Sequence, residues 1–191
     1  MAITIKMTLL KAGLITGIVI LLSGLSSCLN SGRDSKNDPD RGILTFHTGP
    51  AFNNCEVRIH YYIPSGRTTE MPFQVIMHGA GRNAGEYLEG WVAKADEYGL
   101  IIIAPELTKE SFRSEEYIGG RFLTPEGIIS DPGSTTFSLI DRIFEFVRDK
   151  LELQNTSYNI YGHSAGGQFT HRFMQFYNSP YVDKAVAANA G

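Results

Sequence analysis

The chain has 191 residues, of which 42% are hydrophobic and 19% are charged, and its formal net charge is −3. This composition is typical of one globular domain with a hydrophobic core, and it excludes a disordered chain or a collagen-like polymer. The acidic excess argues against nucleic acid as a partner, because phosphate backbones are bound by clusters of basic side chains.

The first 27 residues have the pattern of an export signal. Lys6 and Lys11 precede or flank the apolar run from Ala12 to Leu25, which ends in small residues and is short for a bilayer. Removing residues 1–27 takes away two of the 17 lysines and arginines and none of the 20 acidic residues. The remaining chain therefore has a net charge of −5, which strengthens the argument against nucleic acid.

The end of this segment, LSSC from Leu25 to Cys28, resembles the lipobox of bacterial lipoproteins. The resemblance implies that Cys28 carries lipid and that the exported protein is held on a membrane facing the periplasm or the cell surface. A plain signal peptide and an uncleaved anchor are the alternatives. Residues 28–41 are polar and rich in helix breakers, which predicts a flexible tether. If Cys28 carries lipid, Cys55 has no partner for an internal disulfide, and neither cysteine has the spacing of a metal site.

Apolar runs and helical patterns alternate across the predicted domain, residues 42–191. Strands are predicted at ILTFHTG, CEVRIHYYIP, FQVIMH, LIIIAPE, SYNIY and KAVAANA. The first helix is predicted to begin at Asn83 and to end at Gly99, and two more precede and follow SYNIY. This alternation predicts an α/β fold with a mostly parallel sheet and helices on both faces.

The first glycine-rich turn, HGAGRNAG, permits two interpretations. Gly79, Gly81 and Ala84 fit the dinucleotide fingerprint G-x-G-x-x-A, and Glu106 lies where a ribose-binding acid is expected. A dinucleotide-dependent oxidoreductase is therefore one hypothesis. Asn83 weakens it, because an N-cap at this position starts the helix after the glycines, whereas a pyrophosphate site needs the helix to begin within the motif.

The second turn is the G-x-S-x-G sequence from Gly162 to Gly166, with a predicted strand before it and a predicted helix after it. A sharp turn of this kind raises the Ser164 hydroxyl out of the sheet, as a serine nucleophile requires. Ala165 would present its N–H group at the start of the helix, where a developing oxyanion is stabilised. The context predicts an acyl-transfer site at Ser164.

These segments together resemble the α/β-hydrolase family, and within it secreted esterases similar to polyhydroxybutyrate depolymerases and feruloyl esterases. The matching sequences are VIMHGAGRNAGEYL, YGLIIIAPE, IYGHSAGGQFTHRF and AVAANAG, in family order. The resemblance implies a cofactor-free serine hydrolase of small or polymeric esters, with Ser164 as nucleophile. It also implies an oxyanion hole formed by the N–H groups of Ala80 and Ala165.

The partners of Ser164 are the missing part of this prediction. The family order is serine, then an acid, then a histidine. After Ser164 the only histidine is His171, about 10 Å along the same helix and therefore excluded as a base. The only aspartate is Asp183, which precedes the last predicted strand. The resemblance implies that the acid and the histidine are absent from this chain. Either the chain is part of a longer protein and has little esterase activity by itself, or it is a non-catalytic surface lipoprotein that keeps the fold.

Two further expectations concern the surroundings of the site. His78, in the His-Gly turn, is expected to brace the turn rather than to act chemically. The long segment 107–135 has no sustained periodicity, and segments of this length often cover an active site. Tyr117 and Phe122 are expected either to line a pocket there or to pack within the segment itself.

Overall fold

A computed structural model of the protein describes residues 39–68 and 71–191. The predicted signal peptide, Cys28 and most of the predicted tether lie outside these ranges. None of the helices in the described ranges is long and apolar enough to cross a lipid bilayer. The strands are β1 (Asp40–His47), β2 (Glu56–Ile63), β3 (Phe73–Met77), β4 (Ile101–Glu106), β5 (Tyr158–His163) and β6 (Val182–Ala188). The α-helices are α1 (Ala84–Tyr98), α2 (Ser114–Ile118), α3 (Thr136–Lys150) and α4 (Ala165–Phe176).

The strands form one six-stranded sheet in the order β1-β2-β4-β3-β5-β6. Strands β4, β3, β5 and β6 are parallel to one another, whereas β2 is antiparallel to both β1 and β4. All six strands were predicted from the sequence, and the prediction of a mostly parallel sheet is confirmed. The parallel strands place their carboxyl ends at one edge of the sheet, where α/β proteins bind ligands.

Hydrophobic side chains fill both faces of the sheet. In β4, Ile101 and Ile103 lie in a cluster with α3 and α4, whereas Ile102 and Ala104 lie in a second cluster with α1. Alternate residues of a strand point to opposite faces, so a strand covered on both sides must be apolar throughout. The continuous run LIIIAPE therefore follows from the position of β4, and the predicted helices on both faces are confirmed.

Helix α1 begins at Ala84 and ends before Gly99, as predicted. Gly99 adopts the left-handed conformation, with φ of 61°, that commonly closes a helix. The Asn83 side chain does not cap the helix; its amide donates a 2.5 Å hydrogen bond to Glu86 instead. The helix nevertheless begins after Gly79 and Gly81, which is the feature that argued against a dinucleotide site.

A buried carboxylate joins α3 to the amino-terminal end of β5. Asp141, only 5% exposed, accepts hydrogen bonds from the hydroxyl groups of Tyr158 at 2.6 Å, Tyr177 at 2.8 Å and Ser179 at 2.7 Å. Burial, followed by the nearby Asp141, raises the pKa of Tyr158. Tyr158 is the first residue of β5, and Ser164 follows its last residue. The network therefore fixes the end of β5 that lies opposite the predicted nucleophile.

The segment 107–135 packs on α4, and no single long loop forms in it. It contains α2 and a short 3-10 helix, Pro132–Ser134. Tyr117 is fully buried against Phe169 of α4, with the two rings stacked 5.6 Å apart. Phe122 stacks on Phe176 at 4.6 Å and lines a groove of about 1040 Å³ that also includes Arg172. Of the two roles expected for these residues, Tyr117 has the packing role, and Phe122 both packs and lines the groove.

Candidate active site

Ser164 lies in a sharp turn between a strand and a helix. The strand β5 ends at His163 and α4 begins at Ala165, so that Ser164 alone makes the bend. Its φ of 56° and ψ of −118° lie in a region that residues other than glycine rarely adopt and that costs free energy. The Ser164 N–H donates a 3.0 Å hydrogen bond to the Ala188 carbonyl of β6, which holds the turn in place. The predicted sharp turn between strand and helix is confirmed.

The two glycines of the G-x-S-x-G motif are required by close packing of the backbone. A Cβ atom added at Gly162 would overlap the Gly166 carbonyl, and one added at Gly166 would overlap the Met77 carbonyl. The same atom on Gly166 would lie 2.7 Å from the His78 carbonyl oxygen. The start of α4 therefore sits directly against the end of β3, which only a glycine at this position permits.

The two glycine-rich turns lie side by side because their strands are neighbours. In the parallel pairing of β3 with β5, Met77 is opposite Gly162. The residues that follow each strand therefore leave the sheet at the same edge. Within the described residues, neither the Ala80 N–H nor the Ala165 N–H donates a hydrogen bond to a protein group. Both remain available as oxyanion donors, and their convergence on one point stays a prediction.

The His78 side chain stabilises the first glycine-rich turn through hydrogen bonds. Its Nε2 accepts a 3.1 Å hydrogen bond from the Leu107 N–H, and its Nδ1 lies 3.0 Å from the Gly79 carbonyl. Since Nε2 accepts and a carbonyl can only accept, the ring is neutral with its proton on Nδ1. Burial lowers the pKa of this histidine to about 4, which favours the same state. The expectation that His78 braces the turn is confirmed.

Arg82 and Tyr117 complete the support of the turn. Tyr117 donates a 2.6 Å hydrogen bond to the His78 carbonyl, and the Arg82 guanidinium lies 4.1 Å from the centre of the Tyr117 ring. Arg82 also donates a 2.5 Å hydrogen bond to the Leu107 carbonyl. His78 and Arg82, which flank the turn, thus bind the N–H and the carbonyl of the same residue. Sequence reasoning left Arg82 without a role, because an arginine after glycines usually indicates an exposed loop.

His163 makes more contacts than a variable motif position requires. Its Nδ1 lies 2.9 Å from the Tyr87 hydroxyl of α1, and its Nε2 lies 3.2 Å from the Asn189 amide after β6. The Tyr87 hydroxyl in turn occupies the space beside Gly79, where an added Cβ would be only 2.6 Å away. His163 therefore links the nucleophile turn to α1 and to the end of β6.

No base contacts the Ser164 hydroxyl within residues 39–68 and 71–191. No histidine or carboxylate of these ranges makes a hydrogen bond with it. His171 is exposed on α4, and Asp183 lies inside β6, where it pairs with Lys184 at 3.7 Å. Asp183 thus belongs to the last strand and does not precede it. The exclusion of both residues as partners of Ser164 agrees with these positions.

The chain is similar to solved structures but matches no protein-family profile. No protein-family profile matches the chain, and no curated protein matches it. A poly(aspartic acid) hydrolase from Sphingomonas sp. KT-1 is 34% identical over 80% of this chain, with a TM-score of 0.71. A poly(3-hydroxybutyrate) depolymerase from Bordetella parapertussis is 28% identical over 78% of this chain, with a TM-score of 0.72. An acetyl xylan esterase from Aspergillus awamori, 16% identical over 78% of this chain and 53% of its own, has a TM-score of 0.54 and shows the fold alone.

The chain spans only part of these solved structures. It covers 57% of the poly(aspartic acid) hydrolase and 51% of the depolymerase. The described part of this chain has a six-stranded sheet with helices on both faces and a strand-to-helix turn at Ser164, and its similarity to these two structures has TM-scores of 0.71 and 0.72. The described part of the chain therefore has the α/β-hydrolase fold.

Proposed function

We propose that the protein is a serine hydrolase of carboxylic esters, with Ser164 as its nucleophile. The observation that carries this proposal is the backbone of Ser164, held with φ of 56° between β5 and α4. Strain of this kind persists where the surrounding structure enforces it, and it is common at catalytic nucleophiles. The neighbouring solved structures support the same class, because their names describe hydrolases and a depolymerase.

The reaction we propose is a two-step acyl transfer. The Ser164 oxygen attacks the ester carbonyl, its proton passes to a base, and a tetrahedral intermediate forms with a negative charge on the former carbonyl oxygen. The intermediate collapses, the alcohol leaves with a proton, and the acyl group remains on Ser164. Water then attacks the acyl group and releases the carboxylic acid, which restores the serine hydroxyl. No cofactor takes part in these steps.

The charge of the intermediate requires hydrogen-bond donors that are already in place. The N–H groups of Ala80 and Ala165 are the donors we propose, since each follows a strand at the same edge of the sheet. The turn that carries Ala80 is held by His78 and Tyr117, so the donor does not need to be ordered during the reaction.

The base is the part of this mechanism that the described residues do not supply. A serine hydroxyl without a base is a weak nucleophile at neutral pH. We therefore expect residues 1–191 alone to hydrolyse esters slowly, through the oxyanion donors and an unassisted serine. The same observation favours a second candidate, a non-catalytic surface lipoprotein that keeps the hydrolase fold.

An ester assay separates the two candidates. We expect the 191-residue chain to hydrolyse p-nitrophenyl acetate at a low rate that Ser164→Ala abolishes. Ser65→Ala, at an exposed serine between β2 and β3, is the matched control and should leave the rate unchanged. Equal rates in the chain and in Ser164→Ala would refute the hydrolase proposal and favour the non-catalytic one. Fast Ser164-dependent turnover would instead show that a histidine of this chain, or of a second copy, acts as the base.

We also propose that the protein is exported and anchored through lipid on Cys28. The lipobox-like sequence before Cys28 supports this proposal, and a polyester or small ester outside the cytoplasm would then be the substrate. Expression in a bacterium should yield a protein that begins at Cys28, carries lipid and sediments with membranes. The Cys28→Ala variant should move to the soluble fraction. An unmodified N-terminus in the mass spectrum of the membrane fraction would contradict the proposal.

A further inference from the structure

Arg82 occupies an unusual position for a charged residue. It closes the turn that carries Ala80, with its N–H donating a 3.1 Å hydrogen bond to the Gly79 carbonyl. Its φ of 59° lies in the left-handed region, although it is not a glycine. Only 7% of the residue is exposed. A long basic side chain in a strained turn normally points to water, so its burial requires a reason.

The contacts of Arg82 include no ion pair, and the carboxylate that acts favourably on its charge is that of Glu110, at an exposed position. Its Nη1 donates to the Leu107 carbonyl, and the guanidinium lies over the Tyr117 ring. Its Nε is buried and has no hydrogen-bond partner in the described part of the chain. Across residues 39–68 and 71–191, no carboxylate oxygen lies within the 4.0 Å that defines an ion pair with Arg82. A cation in this position is costly, because it has lost hydration without gaining an anion in direct contact.

The charge lies close to the turn that carries the oxyanion donor. Arg82 and His78 flank this turn and bind the same backbone, that of Leu107. The positive charge of Arg82 also contributes to lowering the pKa of His78, so its field reaches the turn. In a poorly hydrated region a fixed charge acts over several ångströms.

We propose that Arg82 is a positioning residue for the oxyanion site that also makes this site anion-selective. Its hydrogen bond to Leu107 and its contact with Tyr117 fix the turn, and its unpaired charge favours a negatively charged group beside the Ala80 N–H. This inference rests on the proposed function for its role in catalysis: the group that would use the charge is the oxyanion of the tetrahedral intermediate. A purely structural role does not require the charge, because an apolar side chain would pack on Tyr117 without the cost of burying a cation.

The test uses a pair of ligands that differ in charge. Diethyl phosphate is a tetrahedral monoanion, and triethyl phosphate is its neutral analogue. We expect the full chain to bind the anion more tightly than the neutral ester, with the largest amide NMR shifts at Ala80 and Ala165. Arg82→Gln keeps a donor for the Leu107 carbonyl but removes the charge. It should lose the preference for the anion, by roughly fivefold or more, and keep its weak affinity for the neutral ester.

Arg82→Lys tests the charge separately from the shape. A buried lysine loses its proton more easily than arginine, so its charge should disappear as the pH rises from about 6 to about 9. Anion binding by this variant should therefore weaken across that range, while binding by the unchanged protein stays constant. The ionisable groups that face Arg82 are His78 from the end of β3, Tyr117 from α2 and Glu110 from the segment between them. His78 has a pKa of about 4, and burial raises the pKa of Tyr117, so neither ring changes its charge in this range.

The result of the phosphate-binding test is independent of the result of the ester assay, because binding of the anion does not need the Ser164 hydroxyl. The Ser164→Ala variant should keep the anion preference. The proposal is wrong if Arg82→Gln binds the anion as well as the unchanged protein does. It is also wrong if the unchanged protein shows no preference for the anion, or if Arg82→Lys shows no pH dependence of its own. The lysine variant decides the question even if Arg82→Gln does not fold.

Discussion

Acid should destabilise the fold through His78. In the folded protein His78 is fully buried, and burial lowers its pKa from the ordinary value of 6.5 to about 4. As the pH falls below 6.5, the unfolded chain takes up a proton on this histidine that the folded protein does not. The stabilising effect of the neutral ring is therefore complete above about pH 7 and is lost as the pH falls towards 4.

The size of the effect follows from these two values. One unit of pKa shift corresponds to about 1.4 kcal/mol, so this histidine alone lowers the free energy of unfolding by about 2.5 kcal/mol between about pH 7 and about pH 4.5. This is a large fraction of the stability of an ordinary domain. Protonation of the folded state would also remove the hydrogen bond from the Leu107 N–H, because the imidazolium has no free lone pair.

Urea unfolding at the two pH values measures this effect. His78→Gln should be less stable than the unchanged protein at neutral pH, but the loss of stability on acidification should be smaller by about 2.5 kcal/mol, since the group that titrates is gone. His171→Gln, at an exposed position on α4, serves as the control and should follow the unchanged protein. An identical loss of stability in the unchanged protein and in His78→Gln would refute the assignment of a neutral, buried brace.

Three further predictions concern the turn at Ser164 and the opposite edge of the sheet. Gly162→Ala should lower the free energy of unfolding in urea by about 2 kcal/mol or more, because its Cβ overlaps the Gly166 carbonyl; Gly90→Ala, where no atom lies within 4 Å, should be neutral or slightly stabilising. Ser164→Gly should be more stable than Ser164→Ala by about 1 kcal/mol in the same assay, since glycine adopts φ of 56° without strain. Asp141→Ala leaves three hydroxyl groups without their acceptor and should cost about 2 to 4 kcal/mol, whereas the rate of Ser164-dependent ester hydrolysis per folded molecule should not change.

The order of the elements could be predicted from the sequence because each carries a strong local pattern. The run LIIIAPE indicated a strand covered on both faces, and β4 is such a strand. The G-x-S-x-G sequence between a strand and a helix predicted the bend at Ser164. In both cases the signal is contained in a few consecutive residues, and tertiary contacts reinforce it.

The support of the site could not be predicted, because it depends on residues far apart in the chain. Tyr117 reaches the His78 carbonyl across 39 positions, and Tyr87 reaches His163 across 76. Neither pair has a characteristic spacing. Helix α2 was also missed: five residues are too few to show a helical period, and the helix is held by packing on α4. Which N–H groups bind an oxyanion likewise depends on the relative placement of two turns.

The aromatic packing of segment 107–135 limits how this part of the molecule can be exchanged. Tyr117 stacks on Phe169 of α4, and the left-handed Gly120 has no room for a side chain because the Phe137 ring fills the space beside it. A segment taken from a related hydrolase would therefore pack poorly on the surface of α3 and α4 that contacts Tyr117 and Gly120. Chimaeras made to change the substrate range should therefore exchange this segment together with α3 and α4.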